Sequence, residues 1–256
     1  MPIQRADISH WQVDGVHIVA FPARMLRVFA EPLDSQGFAP LAPDTAKGFV
    51  AAINGSMFSI CGRPSGDEHA TVYAAARCMA PDYLVLDRKN NLFYASKYPE
   101  RGVTFSVDEA GNVTVGDGAS YPSNAVVAIQ TYPQIVARGR NIANPSINTE
   151  RTWRAAIGVL ADGRMAMAAG IHSMRGFADV LTRAGFVEAG YTDGGGSTSL
   201  WAMGERIGSR EQRRVPVWIV AAEERSPLRP FAWPLLLSAA SFIIGGILLL
   251  ASSSEE

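Results

Sequence analysis

Apolar residues alternate with polar ones, or run together briefly, at Val16–Phe21, Met25–Ala30, Tyr83–Asp87, Asn91–Ala95, Gly102–Val107, Asn112–Val115, Ala125–Gln130, Ala155–Leu160, Arg164–Ala169 and Val215–Ala221. These patterns predict short strands. The polar interruptions at 87–91, 109–112 and 161–164 read as hairpin turns. Asp162-Gly163 is the clearest, because Asp-Gly accepts positive φ between two apolar strands. Helical spacing is scarcer. It predicts helices over Pro43–Phe49, where Asp44 caps, over part of Ala70–Met79, and over Met174–Ala184, where Phe177, Val180 and Leu181 share a face and Gly185 stops the helix. Many strands, few inserted helices and no βαβ alternation predict an α+β domain of mixed, largely antiparallel sheets with a few packed helices.

The pattern changes near the end of the chain. Phe231 to Ala251 reads FAWPLLLSAASFIIGGILLLA without a charged residue. As a helix it would be roughly 30 Å long, the thickness of a bilayer core. The expected organisation is a domain over 1–222, a linker over 223–230, a C-terminal transmembrane helix over 231–251 and a short polar tail over 252–256. Trp233 and Pro234 suit the membrane interface, and Ser241 with Gly245 and Gly246 offers a small-residue face for a weak homo-oligomer. Arg225 and Arg229 precede the helix while Glu255 and Glu256 follow it, which predicts a tail-anchored protein whose domain faces the cytoplasm. The first residues contain no apolar core of a secretory signal.

Composition sharpens this picture. The 256 residues are 48% hydrophobic and 18% charged, which excludes a disordered chain. Part of that hydrophobicity belongs to the tail, so the domain itself is of ordinary polarity. With 23 basic against 24 acidic residues there is no general electrostatic case for nucleic acid. Cys61 and Cys78 form neither a disulfide scaffold nor a CxxC site. No His/Cys/Asp cluster has ligand spacing, so neither metal nor cofactor is expected.

Candidate chemistry lies in three places. Tyr191-Thr-Asp-Gly-Gly-Gly-Ser-Thr-Ser-Leu-Trp201 contains three consecutive glycines, whose backbone entropy cost points to a turn of positive φ or to a backbone that approaches a ligand closely. Exposed N–H groups at Gly194, Gly195 and Gly196 would suit an anionic oxygen. Asp193 can act as acid, base or nucleophile, and Ser197 and Thr198 can donate hydrogen bonds. The segment is neither a P-loop, since no lysine follows the glycines, nor a G-x-S-x-G elbow. A plain turn between strand and helix is the alternative. The second place is Ile53-Asn54-Gly55, where the Asn54 amide either occupies a pocket or forms an Asn-Gly turn; Asn54-Gly-Ser56 is also a formal glycosylation sequon. The third is Arg154, opening a strand, where a guanidinium can hold a phosphodiester by paired charge-assisted bonds or simply face solvent. Arg213 and Arg214 before the last strand carry the same two readings.

Taken in order, these segments resemble the phosphodiester glycosidase family, which includes the enzyme that uncovers mannose 6-phosphate by removing N-acetylglucosamine from a phosphodiester. Asn54-Gly55-Ser56-Met57-Phe58 resembles its Asn-Gly-x-x-Phe element, and Gln130-Thr131-Tyr132-Pro133 its Gln-Ser-Gly-Pro strand. Arg154-Ala155-Ala156-Ile157-Gly158 with Asp162-Gly163-Arg164 is similar to its Arg-Thr-Ala-Ile-Gly strand and hairpin. Thr192-Asp193-Gly194-Gly195-Gly196-Ser197-Thr198 is similar to its closing Asp-Gly-Gly-Gly-Ser motif, and Arg214-Val215-Pro216 to its last arginine. The resemblance spans about Val16 to Val220. Tyr132 and Ala155 depart from the pattern, so the pocket is expected to differ in shape. His172 lies where the family often carries Asp-Gly-Arg or a serine-rich turn, which makes it either a pocket acid or base, or a structural histidine.

The resemblance implies a hydrolase that cleaves the bond between a sugar anomeric carbon and a phosphodiester. Asp193, Arg154 and Asn54 would be catalytic. Gly194, Gly195, Gly196, Ser197, Thr198, Arg214, Gln130 and His172 would bind a glycosyl-phosphodiester or glycan. A second carboxylate is not singled out among Asp67, Glu68 and Glu150. The alternative is a non-catalytic, membrane-anchored module that binds a glycan or sugar phosphate at an envelope, phage-associated in one version.

Overall fold

In the computed structural model, residues 7–30, 42–43, 48–55, 57–60 and 79–222 are described. They belong to one compact unit, Gln4–Glu223. Three antiparallel sheets, a two-stranded ribbon and one α-helix make up this part of the chain.

The first sheet has seven strands in the order Ser9–Val13, Val16–Phe21, Met165–His172, Thr152–Leu160, Phe186–Tyr191, Gln134–Ala137 and Arg140–Asn141. Its central hairpin is the one expected at Asp162-Gly163, where Gly163 takes φ 84° and Val159 pairs with Met165. Both central strands are covered on both faces, so they read as continuous apolar runs. One face, carrying Ile18, Ala156, Leu160 and Ala168, packs against the helix Met174–Arg183 through Phe177, Ala178 and Leu181. The Ser173 hydroxyl caps that helix by accepting the Gly176 N–H at 3.2 Å, and Gly185, at φ 94°, follows its end.

The second sheet orders Val113–Asp117, Val103–Asp108, Ala125–Thr131, Val85–Asp87 and Leu92–Tyr94. The turns expected at 87–91 and 109–112 join two of its hairpins. The third sheet orders Glu205–Gly208, Ser199–Ala202, Phe49–Asn54, Val217–Ala222 and Leu26–Ala30. Phe58–Ile60 pairs with Met79–Pro81 to form the ribbon.

This architecture corrects the expected α+β class. The described domain is built mostly of β-sheet, every described strand pairing is antiparallel, and Met174–Arg183 is its one α-helix. Phe49, the expected end of a helix, illustrates the cause. Phe49 opens a strand that lies between Ser199–Ala202 and Val217–Ala222, and ladder pairing on both sides outweighs local helical spacing; residues 44–47 lie outside the described residues. Met79 likewise opens a strand, and the rest of Ala70–Met79 is outside the description. Among the described residues no helix is long and apolar enough to cross a membrane. The segment 231–251 lies outside them.

Candidate active site

The chain leaves the first sheet at Tyr191 and enters the third at Ser199, so the glycine-rich segment 192–198 is the crossover between two sheets. It is tied to both. The Thr192 N–H donates to the Ala155 carbonyl at 3.0 Å and the Asp193 N–H to the Gly55 carbonyl at 3.2 Å. The buried Asn54 side chain donates from Nδ2 to the Asp193 carbonyl at 2.7 Å and accepts the Ser199 N–H on Oδ1 at 3.0 Å. One amide therefore grips both ends of the crossover.

The glycines answer to geometry. Gly195 takes φ 59°, and the Ser197 and Thr198 N–H groups close the turn onto the Gly194 and Gly195 carbonyls at 3.2 Å each. A Cβ at Gly194 would overlap the Tyr191 hydroxyl, and one at Gly196 would stand 2.6 Å from Arg213 Nε. The N–H groups of Gly195 and Gly196 donate to no acceptor among the described residues.

Arg154 sits at the start of its strand, 3% exposed. Its Nε donates to the His172 carbonyl at 3.2 Å. Nη2 donates to the Asn148 carbonyl at 3.2 Å, the Glu150 carbonyl at 3.1 Å and Glu150 Oε1 at 3.2 Å. Nη1 makes only a long contact of 3.4 Å to the Tyr191 hydroxyl. A guanidinium has five N–H donors, so one on Nη1 is left over. Burial pushes the Tyr191 phenol up to about 12, against the opposing pull of Arg154. Tyr191 is therefore a neutral donor across the physiological range. The Asp193 and Glu150 carboxylates both act electrostatically on its hydroxyl. Glu150 is held below the usual carboxylate range by its own backbone N–H and, further, by Arg154. Asp193 Oδ1 accepts the Gly194 N–H at 2.9 Å.

These groups open onto a cleft of about 1240 Å³, lined by Arg154, Tyr191, Asp193, Glu150, Gly194–Gly196 and Arg213, with Tyr132 and Pro133 on its wall. A buried cation, a neutral phenol and unengaged N–H groups suit an anionic oxygen, with carboxylates beside it. Among the described residues no group of three His, Cys, Asp or Glu side chains is arranged to hold a metal ion.

The sequence matches the family model for phosphodiester glycosidase over residues 47–222. The chain belongs to the phosphodiester glycosidase family. It thus carries a hydrolase domain of that kind, and the match covers every strand that contributes to the cleft floor. Comparison with curated proteins returns no match. Among solved structures, the fold is similar to the catalytic domain of zebrafish N-acetylglucosamine-1-phosphodiester alpha-N-acetylglucosaminidase, auto-inhibited by its pro-peptide. That match has a TM-score of 0.61 at 16% identity and covers 84% of this chain and 81% of that one. A putative exported protein from Burkholderia pseudomallei matches with a TM-score of 0.55 at 11% identity, over 81% of this chain and 73% of that one. At such identities the likeness is one of fold.

Relative to this phosphodiester glycosidase cleft, the residues singled out in the sequence fall into two groups. Asp193, Arg154, Gly194, Gly195 and Gly196 line it, as does Glu150. Asn54 lies buried beneath the crossover, and Ser197 and Thr198 are buried within it, their hydroxyls without a hydrogen-bond partner among the described residues. Burial also removes Asn54 from reach as a glycosylation site. Gln130 is buried in the second sheet, where Oε1 accepts the Leu84 N–H at 3.1 Å and Nε2 donates to the Tyr98 carbonyl at 3.0 Å and to the Arg101 carbonyl. The His172 ring turns to the Asp14 carbonyl, 2.9 Å from Nε2, and the residue serves Arg154 only through its own carbonyl. Arg213, not Arg214, lines the cleft, together with Arg210 and Glu211. Asp67 and Glu68 lie outside the described residues. Tyr191 and Glu211 carried no role in the sequence reading. Tyr191 had a signal: it closes the strand that leads directly into the Asp193 and glycine segment.

Proposed function

We propose that this domain hydrolyses the bond between a sugar anomeric carbon and the oxygen of a phosphodiester. The carrying observation is the nearly buried Arg154 guanidinium, which meets the Tyr191 hydroxyl in a cleft that the glycine crossover and Asp193 also line. Arg154, Tyr191 and the Gly195 and Gly196 N–H groups bind the phosphoryl oxygens and stabilise the charge that gathers on them. Asp193 takes a proton from the attacking water. The new bond joins water oxygen to the anomeric carbon, the old carbon–oxygen bond breaks, and its electron pair remains on the phosphate as a monoester. Phosphate is a good leaving group, so the burden falls on charge neutralisation rather than on a strong acid. Glu150, ionised beside Arg154, balances the guanidinium and fixes its orientation.

Asn54 acts through the crossover. Its amide holds the Asp193 carbonyl and the Ser199 N–H, and so sets where the Asp193 side chain begins. The test is release of sugar from a panel of glycosyl-1-phosphodiesters by the wild type and by Asp193→Asn. The variant should fold and lose on the order of a thousandfold or more in kcat. Full activity in it would overturn the assignment. Binding of the same compounds by the wild type without cleavage would instead support a glycan-binding module.

A further inference from the structure

Six large hydrophobic side chains are well exposed among the described residues, and three of them, Ile142, Ile147 and Ile171, line the one cleft that holds Arg154. They are 50%, 52% and 43% exposed. Ile171 stands across the first sheet from Trp153, which also lines the cleft.

The loop that carries Ile142 and Ile147 is held in place. The Ile142 N–H donates to the Ile135 carbonyl at 3.0 Å. Asn141 donates from Nδ2 to the Arg175 carbonyl at 3.0 Å and to Asp179 Oδ1 at 2.6 Å, while its Oδ1 accepts the Ala143 N–H at 2.9 Å. Asn144 Oδ1 accepts the Ser146 N–H at 2.9 Å. At the far end the Asn148 carbonyl accepts both the Met174 N–H at 3.0 Å and Arg154 Nη2 at 3.2 Å. The same loop thus orients the buried guanidinium and holds two isoleucines toward water. Apolar side chains fixed at the mouth of a polar cleft are the arrangement that receives an apolar group attached to a charged one.

A phosphodiester in this cleft has two arms. The sugar arm is covered with hydroxyls and needs polar partners, which Gln134, Asn144 and Asn148 in the same lining offer and the isoleucine side chains do not. We propose, resting on the function proposed above, that the other arm is an apolar alcohol. The substrate class is then a glycosyl phosphate ester of a long-chain lipid alcohol, and Ile142, Ile147 and Ile171 determine that specificity. Hydrolysis yields the free sugar and the lipid alcohol monophosphate, with water the only co-reactant.

Two measurements on the full chain test this. In the first, N-acetylglucosamine-1-phosphate methyl, butyl and octyl esters are compared as substrates below their micelle concentrations. Complete burial of a methylene is worth roughly fourfold in affinity. A half-open wall should give roughly twofold per methylene, so KM falls roughly a hundredfold from methyl to octyl while kcat changes little. Ile147→Asn should shrink that ratio severalfold. The second measurement is calorimetry with octyl phosphate against methyl phosphate, which needs neither the right sugar nor turnover. Octyl phosphate should bind at least tenfold more tightly, and less so in Ile147→Asn. Cleavage of all esters with equal KM overturns the lipid arm and leaves the hydrolase intact. No cleavage of any ester removes the support of the proposed function, and the phosphate pair then decides the lipid arm alone: equal affinity, or an octyl preference untouched by Ile147→Asn, overturns it.

Discussion

Asp87 and Arg154 are both charged side chains taken out of water, at 0% and 3% exposure, and the protein treats them differently. Asp87 lies between the second and third sheets. Its Oδ2 accepts the Val28 N–H at 2.8 Å and Asn90 Nδ2 at 3.1 Å, and its Oδ1 accepts the N–H groups of Lys89 at 3.0 Å and Asn90 at 3.1 Å. Asn90 Nδ2 then reaches on to the Val28 carbonyl at 2.9 Å. Both carboxylate oxygens are matched, and Asp87 does not line the cleft that holds Arg154. Burial pushes the Asp87 carboxyl up, while these donors pull it back. Arg154 has an ion-pair partner that is itself largely exposed, a leftover Nη1 donor and a cleft in front of it. A saturated buried charge joins two sheets; an incompletely matched one facing a cleft is equipped to bind. Burial and charge alone do not separate the two cases, whereas an account of every donor and acceptor does.

The comparison is broken most severely by Asp87→Ala, which strands the Val28 N–H and three further donors. Unfolding by urea should show a loss of about 3–5 kcal/mol, with kcat of the folded fraction near wild type. A fall in kcat as large as the fall in stability would erase the distinction. Next is Asn54→Ala, which leaves the Asp193 carbonyl and the Ser199 N–H unmatched. Stability should drop by about 2–4 kcal/mol and, unlike at Asp87, kcat should drop with it, by on the order of tenfold, because the crossover loosens beneath Asp193. An unchanged kcat would detach Asn54 from the site.

The smallest effect on folding belongs to Tyr191. Its phenol is raised to about 12 in the fold against an unfolded value near 10. Above pH 10 the unfolded chain therefore binds fewer protons than the folded one, so this contribution is complete below pH 10 and is lost as pH rises toward 12. The loss is roughly 2–3 kcal/mol. Tyr191→Phe should flatten that part of the alkaline stability profile while changing neutral stability little. A profile identical to wild type would remove Tyr191 from the list of buried titrating groups.

Much of the β-structure was legible because hairpins announce themselves locally. Asp162-Gly163 between two apolar runs, and the polar turns after Asp87 and Asp108, are all present where pattern and turn chemistry put them. The edge strand Ser9–Val13 was not legible, since only Trp11 and Val13 are apolar in it and two alternating positions are too few to stand out. Phe49–Asn54 does not stand out as a strand in the apolar pattern, and Phe49 reads as a helix end, because the identity of this segment depends on partners about 150 and 170 positions away. The cleft divided in the same way. Asp193 and the glycines stood out through composition, and Arg154 through its place at the opening of a strand, which the family pattern reinforced. Gln130 and Asn54 look like binding residues in sequence, yet the first is matched by the Leu84 N–H and the carbonyls of the turn at Tyr98 and Arg101, and the second by the crossover. That an amide's partners are backbone rather than ligand is a tertiary fact, invisible at the level of a motif.

The central claim is that the bond broken lies on the sugar side of the phosphate. Hydrolysis of a glycosyl-1-phosphodiester in ¹⁸O-water, followed by mass spectrometry of both products, tests it most directly. The account predicts the label at the anomeric oxygen of the released sugar and none in the phosphate monoester. Label in the phosphate would mean that the phosphorus–oxygen bond is cleaved instead, and would contradict the roles given to Asp193 and Arg154.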